Sequence, residues 1–425
     1  MRVLHLVHGS PRLQPSAGGT ERYVDALARA TAAPVLTRST SPPAGLVRLD
    51  DGAYPLWVAR VPSPAAPVFR DTWSVPAVEA ALSDVLTRER PDIVHIHHLA
   101  HLGLGCAVRA RAAGARVVIT LHDYHLLCVR GQLVDRDLSR CDGPAPERCA
   151  ACVAEHLRAA PGLHRLGRIA GALGVRRAAR GLVAAPPPGP AIIARAADRI
   201  AAARRALEAA HAVLSPSSDL ARRVSALGFV APERLHVHDL PLVSPIPPAP
   251  SAGDGPLRFL FVGSLIPTKG PDVLVEAFSR LPPGVATLTV RGPPAAFDGQ
   301  PGWSEALIQR LDDTHGARWG GVFGDDERAA IYADADVLVV PSIWRENSPL
   351  VVREALAAGL RVITSDIGGV SEIAPNARRV APGAPAALAA ALAAEVGLGR
   401  GRAAPRAFPM APHLETLGRI YRGLV

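Results

Sequence analysis

The sequence predicts an α/β protein built from two doubly wound parallel-sheet domains in tandem, facing each other across a cleft. Three observations predict it. Apolar runs of strand length alternate with helix-period segments along most of the 425 residues. The alternation breaks once, in a stretch holding Pro245, Pro247, Pro248, Pro250 and Pro256, and then restarts. The length itself suits two ordinary domains better than one.

Strands are expected near 2–7, 57–61, 92–97, 116–121, 212–215 and 235–238, and helices near 20–31, 76–89, 102–113 and 195–210. These make residues 1–241 an N-terminal domain. Proline and glycine over 242–256 mark a linker. Beyond it, strands near 258–262, 286–291, 336–340 and 361–364 alternate with helices near 271–280, 325–333 and 350–358, giving a C-terminal domain over 257–411. Residues 412–425 have helical spacing and are expected to pack back on the N-terminal domain.

Composition narrows the partners. With 48% hydrophobic residues and 4% aromatics, the cores must be mainly Ala, Val and Leu. The net charge is +9, yet all but one of the 47 basic residues are arginine, which marks a bias of the whole chain. Basic patches interleaved with aromatics are missing, so nucleic acid is not an expected partner. An anionic membrane surface or a phosphorylated acceptor stays compatible with the charge. The opening apolar run is too short for a signal peptide, and no stretch approaches ~20 uncharged apolar residues. The expected compartment is therefore the cytoplasm. Arginines spaced among Leu, Ile and Ala over 153–210 read in two ways, as a solvated helical insertion or as a basic amphipathic surface resting on the inner membrane face.

The strongest chemical signal is Pro341-Ser342-Ile343-Trp344-Arg345-Glu346-Asn347-Ser348-Pro349-Leu350 and the helix behind it. Glu346 lies on a strand-to-helix loop beside an exposed Trp344, and Glu354 follows seven intervening residues later, about a turn and a half into the helix. A carboxylate accepts at both oxygens and so can grip the vicinal hydroxyls of a ribose. Asn347, Ser348 and Leu350 open the helix, whose free N–H groups favour an anion such as a diphosphate. Alone, the two glutamates read more readily as solvated surface groups, since such a spacing is common.

A second signal is Gly263-Ser264-Leu265-Ile266-Pro267-Thr268-Lys269-Gly270 at the end of a strand. Its spacing is not that of a P-loop, but it holds the chain's sole lysine, a compact charge suited to phosphate. Three weaker features join them: the Gly18-Gly19 turn after the first strand, His122 at a strand end, and Gly368-Gly369 with Glu372. Asp334-Ala335-Asp336 spans a helix end and a strand start and reads as structural, and Asp135-Arg136-Asp137 falls in the cysteine segment.

Taken together, and in this order along the chain, these pieces resemble the family 4 retaining glycosyltransferases of GT-B architecture. The resemblance implies a hexose moved from a UDP- or GDP-sugar to a hydroxyl acceptor (a lipid carrier, polysaccharide or small glycoside), with no cofactor required for catalysis. It implies that Glu346 contacts the donor sugar near the reacting centre and Glu354 holds the ribose. Lys269 would neutralise the leaving diphosphate and His122 touch the sugar. Gly18, Gly19, Gly263, Ser264, Gly368 and Gly369 would line the donor pocket with Asn347, Ser348 and Leu350. The family's usual arginine after the first C-domain glycine is replaced by Ser264, with Arg291 or Arg345 as substitutes. Competing readings are a non-catalytic nucleotide-sugar-binding protein and a nucleotide-sugar epimerase of the same fold. Separately, Cys128, Cys141, Cys149 and Cys152 fall as C-x12-C-x7-C-x2-C over 128–152, which reads as a structural zinc site, as free thiols or as a redox or Fe–S group, while Cys106 reads as core.

Overall fold

In the computed structural model the N-terminal sheet grows from strands that are apolar on both faces. β1 (Val3–Leu6), β5 (Ile93–Ile96), β6 (Arg116–Thr120) and β7 (Ala212–Ser215) form its buried centre. The structure describes every residue except 15–16, 64–68, 136, 157–187, 251–252, 298–299 and 301. β2 (Val35–Ser39), β3 (Gly45–Leu49), β4 (Leu56–Arg60) and β8 (Leu235–Val237) complete an eight-stranded sheet in the order β3-β4-β2-β1-β5-β6-β7-β8. Only the β3–β4 pair is antiparallel. β2 and β3 escape the sequence reading because β2 turns polar after Leu36 and β3, an edge strand, is interrupted by Arg48, so neither shows a long run of apolar residues.

Helices cover both faces: α1 (Gly19–Thr31), α2 (Pro76–Glu89), α3 (Gly105–Ala112), α4 (Pro146–His156), α5 (Pro190–Ala209) and α6 (Ser218–Ala226). α5 buries Ala202, Ala203, Ala206 and Leu207 in the core of this sheet. One face of this part of the arginine-rich insertion is thus interior packing, while Arg195, Arg204 and Arg205 stay exposed; the remainder, 157–187, lies outside the described residues. Among the described residues no helix is long and apolar enough to cross a membrane.

The second sheet is wholly parallel, in the order β11-β10-β9-β12-β13-β14. Its strands are β9 (Leu257–Val262), β10 (Ala286–Arg291), β11 (Ala317–Trp319), β12 (Val337–Val340), β13 (Arg361–Ser365) and β14 (Arg378–Val380). Its helices are α7 (Pro271–Phe278), α8 (Trp303–Asp312), α9 (Arg328–Ala333), α10 (Leu350–Ala357), α11 (Val370–Ile373) and α12 (Pro385–Gly397). The three-residue edge strands β11 and β14 carry too little pattern to be read from sequence.

The proline-rich connection is docked instead of free. Leu242 N–H donates to Phe408 O at 2.8 Å, Ala249 N–H to Ala358 O at 3.0 Å, and Ile246 is buried. Arg353 of α10, fully buried, reaches back to Asp239 and to the Leu240 carbonyl and lies 5.4 Å from the Phe408 ring centre. The last helix, α13 (Met410–Arg422), crosses to the first domain, where Leu417 and Tyr421 join its core. His413 Nε2 meets the Tyr23 hydroxyl at 2.8 Å, and the Tyr421 hydroxyl meets His95 Nδ1.

The N-terminal core holds several buried imidazoles, and burial lowers their basicity. His5 and His122 are brought from 6.5 down to about 3, and His95 and His97 fall well below the ordinary value. Below pH 6.5 the unfolded chain protonates these groups while the folded chain does not, so stability decreases as pH falls through that window. Thermal melts should show Tm dropping steadily from pH 6.5 toward 4, with net proton uptake on unfolding. His5→Phe should flatten the profile; an unchanged slope would mean that these rings are charged in the fold.

Candidate functional site

The site is assembled by three loops at the carboxyl end of the second sheet. β12 is buried along its length and ends at Pro341, after which the chain loops to α10. The loop after β9 lies against it, with Ile343 N–H donating to Thr268 O at 2.9 Å. Gly270 makes this possible: its φ is +70°, and a Cβ there would overlap the Pro341 carbonyl. From the other side comes the turn after β13, where Gly369 N–H donates to Glu346 O at 2.7 Å. Gly368 has φ +75°, and a Cβ on it would strike the same Glu346 carbonyl.

Between these loops sits the Glu346 carboxylate, 4% exposed. Its Oε1 receives the Lys269 ammonium at 2.6 Å, the Ser342 hydroxyl at 2.7 Å and the Trp344 indole N–H at 2.9 Å. Lys269 Nζ also lies 5.0 Å from the Trp344 ring centre. Trp344, expected from sequence to be exposed, is in fact buried, because it joins the hydrophobic cluster of the N-terminal domain and its N–H is spent on Glu346. Three charge-assisted bonds on one oxygen fix this carboxylate closely.

Glu354 has a different set of partners. It is fully buried, so its reading as a solvated helix residue does not hold. Oε1 faces Arg22 at 3.2 Å and Arg328 at 3.4 Å; Oε2 takes Arg328 at 3.2 Å and the Tyr332 hydroxyl at 2.6 Å. Arg22 belongs to α1 of the other domain and also binds Ser244 at 2.9 Å and Asp325 at 3.0 Å. It carries the Gly18-Gly19 turn with it: a Cβ on Gly19 would lie 3.5 Å from Leu350, the first residue of α10. Arg22, Arg328 and Tyr332 were not singled out from sequence, since nothing within their own segments pairs them with a glutamate far along the chain.

The remaining residues also meet across the cleft. Asn347 Nδ2 donates to Leu121 O at 2.9 Å and His122 O at 3.2 Å, and its Oδ1 accepts from the Ser217 hydroxyl. His122 is half-buried at the end of β6, with Nε2 3.4 Å from His97 Nδ1. The Glu372 carboxylate captures the N–H groups of Ser218 and Asp219 at 2.7 and 2.9 Å, at the start of α6. Ser348 leans away, toward Asp239. Gly263 N–H pairs with Arg291 O at 3.0 Å, beside the Ser264 position.

Neither arginine offered for that position is brought to Lys269. Arg291 is held by Glu327 and the Gly320 carbonyl, and Arg345 faces Arg223, Tyr124 and Asp219. Asp336 is fully buried under Arg258 and Arg400, so this Asp-x-Asp string is structural; in the other, residue 136 lies outside the described residues.

Cys128, Cys141, Cys149 and Cys152 do line one small pocket. Cys152 donates to Asp135 and Cys141 to Gly143 O, and burial with Asp135 nearby pushes the Cys152 thiol up to about 12. No three of these sulfurs lie within 4.8 Å of one another; among the described residues only His5, His95 and His97 meet that spacing. Cys106 is core.

Two doubly wound parallel sheets whose strand-end loops meet in this way define the GT-B architecture. Solved structures share it over nearly the whole chain. Sucrose-phosphate synthase from Thermosynechococcus elongatus matches at TM-score 0.65 and 19% identity, covering 100% of this chain and 99% of its own. Anabaena HepE in complex with UDP-glucose matches at 0.60 and 15%, covering 100% of both chains. A trehalose-6-phosphate protein from E. coli bound with UDP-2-fluoro glucose matches at 0.56 and 15%, covering 99% and 96%. Residues 17–154 match the family model described as Glycosyltransferase Family 4, and residues 256–395 the one described as Glycosyl transferases group 1. The chain belongs to the family 4-type glycosyltransferases. Among curated relatives, a D-inositol 3-phosphate glycosyltransferase of Mycobacteroides abscessus is 36% identical over 110 residues, 26% of this chain and 24% of the relative. An uncharacterized glycosyltransferase of Methanocaldococcus jannaschii is 34% identical over 121 residues, 28% and 30%. The match thus spans between about a quarter and a third of these relatives' length.

Gly270→Ala should destabilise the protein in urea by about 1–3 kcal/mol from backbone conformation alone. The overlap with Pro341 adds to this. Gly397, in α12 with nothing within 4 Å of a Cβ, is the control. Gly397→Ala should leave stability unchanged or raise it by up to about 1 kcal/mol. Equal effects at the two positions would mean the loops are not in tight contact.

Proposed function

We propose that the protein transfers a hexose from a UDP- or GDP-sugar to a hydroxyl acceptor with retention of anomeric configuration. One observation carries the reading: the sole lysine pairs with Glu346 at 2.6 Å where three strand-end loops converge. Departure of a nucleoside diphosphate builds negative charge, and a preorganised ammonium with helix-start N–H groups from α10 would oppose that charge. The donor's sugar then lies over Glu346, whose carboxylate favours positive charge at the anomeric carbon. His122 and the Gly368-Gly369 turn bound the sugar from the two sides of the cleft. UDP-glucose and its fluoro analogue in structures of the same fold support a nucleotide-sugar donor.

Glu354 is the ribose acceptor in this reading. Because Arg22 occupies its Oε1, a ribose must displace that arginine, which couples donor entry to movement between the domains. In this reading no divalent metal is called for, since Lys269 and backbone N–H groups would face the diphosphate.

Initial-rate kinetics with a panel of UDP- and GDP-sugars test the assignment. Lys269→Met should lower kcat by about 10²–10³. Glu346→Gln should likewise lower kcat, while Glu354→Gln should raise donor KM by about 10–100-fold. EDTA should leave the rate unchanged. Wild-type rates in both glutamate variants would defeat the site assignment. Donor binding without turnover would favour a binding protein, and sugar inversion without free nucleotide would favour an epimerase.

A further inference from the structure

A line of imidazoles runs through the N-terminal sheet behind the cleft, and the reaction above leaves most of it without a role. His5 on β1 pairs in register with His95 on β5. His5 Nδ1 stands 3.0 Å from His97 Nε2, and His97 Nδ1 stands 3.4 Å from His122 Nε2. His95 lies beside the line, its ring 3.9 Å from that of His97, with Nδ1 on the Tyr421 hydroxyl and Nε2 on Thr120 Oγ1 at 2.7 Å. One end of the line reaches a cavity of about 420 Å³ lined by His5, Arg2, Glu89, Leu417 and Tyr421. At the other end, bonding through Nε2 leaves Nδ1 of His122 for a ligand in the cleft.

Three histidines this close suggest a metal, but the hydrogen bonding speaks otherwise. Both nitrogens of His95 and both of His97 already have partners, so an ion common to His5, His95 and His97 would have to break those contacts. The same burial that disfavours charge keeps each ring neutral, with one N–H and one lone pair. That fixes an arithmetic. If His5 donates from Nδ1, His97 must accept at Nε2 and donate from Nδ1, and His122 in turn must carry its proton on Nδ1. Reversing the first bond reverses all three.

We propose that His5, His97 and His122 form one tautomer-coupled unit, in which His97 and His5 are positioning residues that decide whether His122 presents a donor or a lone pair to the cleft. The functional part rests on the reading of His122 as a sugar contact; the coupling itself does not. Such control suits a residue meeting a sugar hydroxyl, because an isolated half-buried imidazole would exchange between its two forms.

Two-bond ¹H–¹⁵N spectra of the full chain labelled on histidine test the coupling directly. The resonances are assigned with His5→Gln, His97→Gln and His122→Gln. The three rings should share one neutral tautomer, all Nδ1–H or all Nε2–H, and His97→Leu should change the His122 pattern. Mixed tautomers in the wild type, an unchanged His122 in His97→Leu, or metal retained at one equivalent per chain and lost in His5→Gln would each overturn the proposal. In kinetics, His97→Leu should lower kcat about tenfold, the cost of one misdirected hydrogen bond. Donor KM should stay within roughly twofold, and His97→Gln, which can still donate and accept, should recover part of the loss. Equal loss in Leu and Gln, or a loss confined to KM, would count against positioning. Should the protein transfer no sugar at all, the spectra would still judge the coupling.

Discussion

Everything at the cleft depends on the contact between the Lys269 ammonium and the Glu346 carboxylate, and on how tightly the surrounding backbone holds it. A buried carboxylate without partners would be costly, and here three donors converge on one oxygen. The donors come from two loops, and the third loop closes on the Glu346 backbone through Gly369 N–H. Gly368 and Gly270 are the positions where a side chain would force those loops apart. Position, charge and backbone geometry are therefore a single constraint, and the sequence around it is correspondingly narrow.

The second organising contact joins the domains. Arg22 from the first domain meets Glu354 of the second, Glu372 of the second meets the start of α6 in the first, and Asn347 bonds the backbone at His122. All three lie at the carboxyl ends of their sheets, where loops from opposite domains face one another. The structure is in this sense a closed form. Arg22 occupies the carboxylate proposed for the ribose, so in that reading donor binding would rearrange a contact between the domains.

Much of this was legible in the sequence because buried parallel strands write themselves as apolar runs. β9, β10, β12 and β13 in the second sheet and β1, β5, β6 and β7 in the first are all of this kind. Strands with short apolar runs, such as the interior β2 and the edge strand β3, or of three residues, such as β11 and β14, lack the signal. Lys269 and Glu346 stood out because one is unique in the chain and the other sits on a punctuated loop. Their partners did not: Arg22 and Arg328 are two arginines among many, and only folding brings them to Glu354. Trp344 was misplaced for a related reason, since a loop tryptophan reads as exposed until one sees the carboxylate that claims its N–H. The four cysteines share a pocket, and the sulfurs of Cys141 and Cys152 have other partners there.

The return of α13 to the first domain gives that domain two stretches of chain separated by the entire second domain. Tyr421 reaches His95, and Leu417 enters a core otherwise made by residues more than 170 positions earlier in the sequence. During synthesis the first domain can gather its sheet as it emerges from the ribosome. Its interior beside His95 stays open until α13 has been translated. Completion of that domain therefore waits on a segment made after the whole of the second domain, and a ribosome stalled within the second domain would leave the first unsealed.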